Sequence, residues 1–487
     1  NAHLLLEQWS RPPSPSAVDI RTVQNPPEVA VIGISCAFGP LRDVSDFQKA
    51  VLDNFPARGS RPPERWKGCD PVVADMLGEY GVEGSYIGAI QAEPGAFQIP
   101  PSELQDIIPQ QLLMIQTASR AMADAGLSIQ EPRPNTGAII GISFDPDATD
   151  FHFRWSLPAL VSQWQRRYNL RFSENIGEAE SWNDKLLDAA SPPLTSAGTL
   201  GALGSMTASR IAKAFRFGAA SFVVSCEEAS GMRALETGVR LLQQGEADTM
   251  LVGAVDMAGD VRRVVAAAMA SDGEDAADEF PGDGAVALVL KPLARATADG
   301  NRIYAVVRGF GSAAGSTGTP LGKRSSENPL SLSRCLKDAG IALEDNPANT
   351  PPVLDDPSPV TGNTGAAKGL AAAASACLHL HSGESASARW IVAVPTSDGC
   401  CSHVLFEKAP CPAPGQQSPA PNNNTATLSN APAINRIVGG RMPFPKVPDI
   451  LLPSKEISSA DASISTVPMA EELVEDTETP PPPLSVK

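Results

Sequence analysis

Histidine and cysteine are the side chains best suited to nucleophilic or metal chemistry, and this 487-residue chain has few of them. There are eight cysteines, of which only Cys400 and Cys401 are adjacent. No CxxC pair or regular spacing occurs, so neither a zinc site nor a disulfide framework is indicated. We therefore expect reduced, mostly buried thiols and no metal. The five histidines are His3, His152, His379, His381 and His403.

The elements that would position these residues alternate between strands and helices. Helices are predicted over 110–125 and 231–244, and the second buries a face made of Met232, Leu235, Val239 and Leu242. Such alternation favours an α/β fold with helices on both faces of a sheet. No GxGxxG follows the first strand and no P-loop occurs, so nucleotide binding has no support. Predicted strands cover 29–34, 137–142, 221–225, 249–255, 284–290, 303–309 and 391–395.

Composition divides the chain into one globular stretch and two linkers. The net charge of −17 argues against a nucleic-acid or anionic-membrane partner, and no apolar run is long enough to span a membrane. Residues 11–27 are rich in Pro and Ser, which indicates a linker, whereas the composition of residues 28–408 is typical of a globular domain. Residues 409–487 hold 15 of the 45 prolines, so we expect a disordered linker to a following domain. Within it, Ile437–Leu452 is apolar enough to dock on a neighbour.

The first residues of the chain repeat the end of the globular stretch. Asn-Ala-His-Leu-Leu-Leu-Glu-Gln at 1–8 is similar to Cys-Ser-His-Val-Leu-Phe-Glu-Lys at 401–408, and both run into Pro-rich sequence. We interpret 1–10 as the C-terminal remnant of a preceding, related domain, although a chance match remains an alternative. The chain opens on Asn rather than Met and has no signal-peptide pattern, so we expect a piece of a larger multidomain protein. A cytoplasmic location is expected, with a plastid left open because the true N-terminus would be missing.

Six segments in a consistent order resemble the β-ketoacyl synthase family. They are Glu-Val-Ala-Val-Ile-Gly-Ile-Ser-Cys-Ala-Phe-Gly at 28–39, Ile-Pro-Gln-Gln-Leu-Leu-Met-Ile at 108–115, Thr-Ala-Ser-Arg-Ile-Ala-Lys-Ala-Phe at 207–215, Gly-Asp-Gly-Ala-Val-Ala-Leu-Val-Leu-Lys at 282–291, Thr-Gly-Asn-Thr-Gly-Ala-Ala at 361–367, and the strand that contains His403. The resemblance implies a thiolase-like α/β fold of two similar halves in five α-β-α-β-α layers.

The chemistry of that family requires a nucleophilic Cys at a helix N-terminus, two His that stabilise an enolate, and a Lys. Aligned on Val223-Val224 and the following helix, the Cys position is Glu228, and Cys226 lies two residues early, where we expect a buried strand cysteine. The second His position is Asn363, and the Lys position is Ser358. The segment Ala342–Pro357, where the other His should lie, contains none.

This loss of catalytic residues resembles chain-length factors, the degenerate ketosynthases that pair with an active one. The resemblance implies a non-condensing domain of a polyunsaturated fatty acid or polyketide synthase, which shapes the acyl tunnel. It also implies an active ketosynthase on the same polypeptide as partner, a phosphopantetheinyl acyl carrier protein, and no cofactor of its own. The strand at about 219–225 would pair across the dimer axis. Candidate tunnel residues are Phe144, Phe151, Phe153 and Trp155.

Several alternatives stay open at this level. Glu228 could fill the space of an acylated Cys at the helix N-terminus, where the helix dipole and free N–H groups stabilise an anion, or it could be exposed and without a role. The domain as a whole could be an active condensing enzyme with Cys226 as a shifted nucleophile, a decarboxylase, or a scaffold without influence on chain length. Whether it is an enzyme in its own right is therefore undecided, and we expect it to be inactive. His403 is expected to be structural.

Overall fold

The computed structural model describes residues 434–437 and residues 26–410, apart from 67, 94, 105–106, 146–149, 169–183, 189, 192, 194, 271–279, 315–327, 342–350, 355, 384–386 and 397–398. His3, the predicted remnant 1–10 and nearly all of the predicted linker 11–27 lie outside the described residues, as do the side chains of Phe151 and His152.

The strands form one mixed nine-stranded sheet and two small two-stranded sheets. Long central strands such as β1 and β7 are mostly apolar and buried on both faces, which is typical of a sheet covered by helices on each side. In order the strands are β1 Val29–Phe38, β2 Gly59–Ser60, β3 Glu83–Gly84, β4 Ala89–Ala92, β5 Thr136–Ile142, β6 Ser221–Val224, β7 Thr249–Met257, β8 Asp283–Pro292, β9 Ala305–Ala313, β10 Val353–Leu354, β11 Arg389–Pro395, β12 Cys401–Glu407 and β13 Ile434–Ile437.

The helices surround this sheet and lie between its two halves. Proline begins the helix at Pro109, where the missing N–H group needs no partner and the fixed φ suits the first turn. In order the helices are α1 Val44–Leu52, α2 Asp70–Leu77, α3 Pro101–Leu104, α4 Pro109–Asp124, α5 Asp150–Tyr168, α6 Ser196–Ala202, α7 Met206–Phe215, α8 Ser230–Gln243, α9 Val261–Ala270, α10 Leu293–Ala298, α11 Pro329–Asp338, α12 Ser358–Thr361 and α13 Lys368–Ser382.

The large sheet consists of two halves with the same pattern of strand directions. The first half has the order β6-β5-β7-β8-β1, in which β6, β5 and β7 are parallel and β8 is antiparallel to both β7 and β1. The second half has the order β10-β11-β12-β9, in which β10 and β11 are parallel and β12 is antiparallel to both neighbours. The halves meet at a short antiparallel pairing of Val29–Val31 with Ala305–Val307. This repetition is the predicted two-half arrangement.

Two large apolar cores lie on opposite faces of the sheet. One core contains α8 and α13, packed against each other and against strands of both halves, and the predicted buried face of α8 lies in it. The other contains α4 and α7 against the outer face of the first half, and α11 covers the outer face of the second. The result is a five-layer α-β-α-β-α arrangement, in which the inner helix layer positions the residues described below.

Most of the predicted elements are confirmed, with shifted ends. β1 continues to Phe38, β9 begins at Ala305 rather than 303, and the Ala-rich helix predicted over 366–380 is α13 at 368–382. One prediction needs correction. The sequence predicts that residues 409–487 are a disordered linker, but Ile434–Ile437 within them form a strand that pairs with β4. The docking segment predicted at Ile437–Leu452 otherwise lies outside the described residues.

Candidate functional site

Two short 3₁₀ turns bring the residues of the predicted site close together. Glu227–Ala229 connects β6 to α8, and Gly365–Ala367 leads into α13. The two turns contact each other because α8 and α13 begin side by side in the inner helix layer. Glu228 is buried in the first turn, and Asn363 lies two residues before the second. Ser358, buried at the start of α12, belongs to the same approach to α13.

The turn that carries Glu228 is a strained elbow. Glu227 has a φ of 48°, a left-handed conformation that costs a non-glycine residue free energy and persists only where neighbours hold it. The Ser230 hydroxyl helps to stabilise this conformation of Glu227. It accepts a hydrogen bond from the Cys226 N–H at 2.8 Å and lies 2.6 and 2.9 Å from the carbonyl oxygens of Glu227 and Ile142. The elbow is therefore fixed to the end of β5 as well as to its own helix.

A chain of polar contacts runs beneath the elbow from one half of the domain to the other. The Ser143 hydroxyl donates to Oε2 of Glu227 at 3.1 Å, and Nη1 of Arg263 donates to Ser143 Oγ at 2.5 Å. Nη2 of Arg263 lies 3.3 Å from Oδ2 of the buried Asp256, which accepts the Ala366 N–H at 2.9 Å. Arg263 thus connects the two turns through the side chains between them.

Burial governs the protonation of Asp256. Removal from water raises its pKa from 3.8 to about 6, and the carboxylates of Asp283 and Glu227 add to the rise. Arg263 and the Ala366 N–H act in the opposite direction, because both favour the charged form. Asp256 is therefore a carboxyl group whose charge depends on pH close to neutrality.

Asn363 is used for local structure. Its Oδ1 accepts the Gly365 N–H at 3.0 Å, an interaction that closes the turn in front of α13. Its backbone N–H donates to the Phe280 carbonyl at 2.8 Å, and its carbonyl accepts the Gly282 N–H at 3.1 Å. These bonds fix the segment before α13 against the start of β8.

Ser358 belongs to a second small cluster that contains a buried cation. Its hydroxyl donates to Oδ1 of Asp356 at 2.8 Å, and Nζ of Lys368 lies 2.8 Å from Oδ2 of the same carboxylate. The Lys368 side chain is only 4% exposed and stands at the first position of α13, where the helix dipole disfavours a positive charge. Asp356 offsets this cost, so the ion pair is what permits a lysine there.

The prediction for Cys226 is wrong. Cys226 is exposed and follows the end of β6, at the N-cap of the elbow, rather than buried within the strand. The physical reason is that β6 ends at Val224 and lies at the edge of the sheet, so the following residues have no second strand to cover them. The position of this strand at the edge of the sheet also leaves Phe222 43% exposed.

The described histidine side chains lie away from the two turns. His403 is buried in β12, and its Nδ1 lies 2.8 Å from Ser331 Oγ, which agrees with the expected structural role. His379 Nδ1 lies 2.9 Å from the Ser375 carbonyl one turn earlier in α13. His381 packs on the Tyr304 ring with 4.8 Å between centroids, and partial burial lowers its pKa.

Sequence reasoning missed the charged residues that connect the turns. Arg263, Asp256 and Lys368 come from separate elements and have no shared motif, so only their folded positions reveal a relationship. Lys368 gave one usable signal, since it is the sole charged residue in an otherwise Ala-rich helix. Within the described ranges, no group of three or more His, Cys, Asp or Glu side chains could hold a metal ion. Nor is any helix of that part of the chain both long and apolar enough to cross a bilayer.

The fold and the paired turns define a class of protein. The model of the β-ketoacyl synthase N-terminal domain matches residues 27–296, more than half of the chain. The chain belongs to the β-ketoacyl synthase family and has its thiolase-like α/β fold.

Particular relatives agree with this membership. Over 299 residues, 58% of this chain, it is 26% identical to a polyunsaturated fatty acid synthase polypeptide of Thraustochytrium sp. and 29% identical to phthioceranic/hydroxyphthioceranic acid synthase of Mycobacterium tuberculosis. The alignments cover only 14% and 12% of those proteins, so the chain spans a small fraction of their length.

Solved structures show the same fold at low identity. The PfaC Keto synthase-Chain length factor structure superposes with a TM-score of 0.69 over 85% of this chain and 45% of that one, at 20% identity. The oxazolomycin ketosynthase domain OzmH KS7 superposes with a TM-score of 0.59 over 80% of this chain and 77% of that one, at 17% identity.

Proposed function

We propose that this chain is a non-condensing, chain-length-factor-like ketosynthase domain of a polyunsaturated fatty acid or polyketide synthase. It pairs with an active β-ketoacyl synthase on the same polypeptide and shapes the tunnel that receives the growing acyl chain. The acyl substrate is delivered by a phosphopantetheinyl acyl carrier protein, and this domain needs no cofactor of its own. The observation that carries the proposal is that Glu228, which the sequence aligns with the family's nucleophilic Cys, is buried at the elbow.

The polar contacts around the elbow support a role without condensation chemistry. A Glu carboxylate at this position cannot carry the acyl thioester from which the family condenses, because that intermediate needs the sulfur of a Cys side chain. Asn363 uses its side-chain oxygen to close its own turn, and Ser358 donates to Asp356. The Arg263–Asp256 pair occupies the space between the turns. On this proposal Glu228 fills the place of an acylated cysteine and keeps the family's backbone geometry.

The edge of the sheet supports the pairing. Among the described strands, β6 hydrogen bonds only with β5, so its other side is open to a further strand. Phe222 in its centre is 43% exposed, although burial of a Phe side chain stabilises by about 1.5–3 kcal/mol. A partner strand would satisfy the edge and cover this ring at once. The segment that follows β5, the strand paired with β6, contains further exposed aromatic residues at Phe144, Phe153 and Trp155.

Catalysis is tested on the full chain with malonyl-loaded carrier protein. The measurements are carbon dioxide release and transfer of a radiolabelled acyl group from an acyl thioester to protein, with Glu228→Ala as the control variant. We expect neither decarboxylation above that control nor acyl transfer to Cys226. Turnover above the control, or label retained on Cys226 and lost in Cys226→Ser, would overturn the proposal.

Pairing is tested by co-expression with the β-ketoacyl synthase domain of the same synthase. We expect a one-to-one complex that Phe222→Lys weakens at least about tenfold, because a buried charge at the centre of the interface has no partner. Phe55→Lys, at a 67% exposed site in the loop after α1, is the control and should leave the complex intact. Equal behaviour of the two variants would remove the case for β6 as the interface.

A further inference from the structure

Strand β13, which lies well after β12 in the chain, pairs with a strand near the start of the domain. The end of β12 and the start of β13 are separated by 26 residues, and β13 pairs with all four residues of β4 in antiparallel register. Ile434 lies opposite Ala92, and Ile437 lies opposite Ala89. The two strands form a sheet separate from the large one.

β4 is a firmly held docking edge. Ile90 and Ala92 are each 4% exposed and belong to the apolar core that contains α4. On the other side, the Gln116 side chain of α4 donates from Nε2 to the Gln91 carbonyl at 2.5 Å. β4 is therefore anchored by its own side chains and by α4, independently of β13.

The hydrogen bond from Gln116 to the Gln91 carbonyl identifies which residues of β4 form backbone hydrogen bonds with β13. In an antiparallel pair the N–H and C=O of one residue point in the same direction, and successive residues point in opposite directions. Because the Gln91 carbonyl faces α4, the backbone groups of Ile90 and Ala92 face β13. The hydrogen-bonded pairs are then Ile90 with Arg436 and Ala92 with Ile434, while Asn435 directs its N–H away from β4.

We propose that residues 434–437 act as a reversible clip that fixes the point from which residues 438–487 leave the domain. Without it, residues 438–487 would be tethered to the end of β12 only through the 30 residues 408–437, which can span on the order of 100 Å when extended. With it, they start at the β4 edge beside α4. The clip is reversible because a two-stranded sheet of four residues per strand is of marginal stability. This inference does not depend on the proposed function.

The register supplies a matched pair of variants for the full chain. Arg436→Pro removes an N–H that bonds to Ile90, whereas Asn435→Pro removes one that faces away from β4. We expect amide exchange at Ile90 and Ala92 to become at least about tenfold faster in Arg436→Pro and to change much less in Asn435→Pro. A synthetic peptide with the sequence of residues 431–440, added to the Arg436→Pro chain, should restore protection.

The exit point is measured by the distance between spin labels introduced as unnatural amino acids at residues 126 and 440. We expect a narrow distance distribution in the wild-type chain and in Asn435→Pro, and a broad one in Arg436→Pro. Protection at Ile90 and Ala92 that is unchanged in Arg436→Pro would overturn the clip. So would a wild-type distribution as broad as that of the Arg436→Pro chain.

Discussion

Arg263 lies 3.3 Å from the buried carboxylate of Asp256 and, through Ser143, supports the carboxylate of Glu227 at the strained elbow. Asp256 in turn accepts the Ala366 N–H at the start of the second turn. One guanidinium group thus connects the turn that contains Glu228 to the turn that leads into α13.

Loss of Arg263 should destabilise the domain by leaving Asp256 buried without its cation. We expect Arg263→Met to lower the free energy of unfolding by about 2–3 kcal/mol, below the 3–5 kcal/mol of fully buried pairs because the Arg263 side chain is 24% exposed. Denaturant unfolding gives this value. Arg58→Met, which breaks an ion pair with Glu83 whose two side chains are 54% and 56% exposed, should cost less than about 1 kcal/mol.

A double-mutant cycle separates the ion pair from general packing. Arg263→Met combined with Asp256→Asn should cost clearly less than the sum of the two single variants, since no unpaired charge is left buried. Strictly additive costs would show that the two side chains act independently.

Asp256 should make stability depend on pH between about 4 and 7. Its pKa is raised from 3.8 to about 6 in the folded protein, so the folded state binds a proton that the unfolded state has already released. The stability that this proton contributes is complete below pH 3.8 and is lost as pH rises through 6. Relative to wild type, Asp256→Asn should gain on the order of 3 kcal/mol between pH 4 and 7.

Asp299 provides a comparison in which the dependence of stability on pH has the opposite sign. Lys291 lowers the pKa of Asp299, so its contribution is present at neutral pH and is lost on acidification. Asp299→Asn should therefore lose stability relative to wild type as pH rises, and by a small amount, because the carboxylate is exposed. Parallel pH profiles of wild type and Asp256→Asn would contradict the assigned protonation.

Gly365 should tolerate no side chain. Its φ is +49°, and a Cβ added there would overlap Oδ2 of Asp256. We expect Gly365→Ala to destabilise by at least about 2 kcal/mol more than Gly300→Ala, because overpacking adds to the backbone cost. Gly300 also has a left-handed φ, +66°, but faces open space. Equal loss of thermal stability in the two variants would argue against close packing at the second turn.

The exposed aromatic residues test whether the domain measures chain length or only supports its partner. Phe153 and Trp155 in α5 are 40% and 74% exposed in the isolated chain. If they end the tunnel at the dimer boundary, Trp155→Ala and Phe153→Ala in the whole synthase should lengthen the product by at least one extension unit. Product chain length is measured by mass spectrometry, with Phe55→Ala as the control. Weaker pairing with unchanged products would instead favour a scaffold.

The sequence determined the layered α/β fold because its signals are local and repeated. The apolar runs that became β1, β7 and β8 are buried on both faces, and the periodic apolar face of α8 lies in the inner core as predicted. Spacing from Val223-Val224 also placed Glu228 at the start of α8. Such features depend on neighbours in the chain, which a sequence displays directly.

Only the tertiary structure decided which residues that are distant in sequence lie together. The Arg263–Asp256 pair, the Lys368–Asp356 pair and the β4–β13 clip join residues that are separate in sequence and share no periodicity. Cys226 shows the same limit, because its exposure follows from the edge position of β6 and not from its own sequence context. Strand order and long-range ion pairing are set by the packing of whole elements, so they become visible only when the chain is folded.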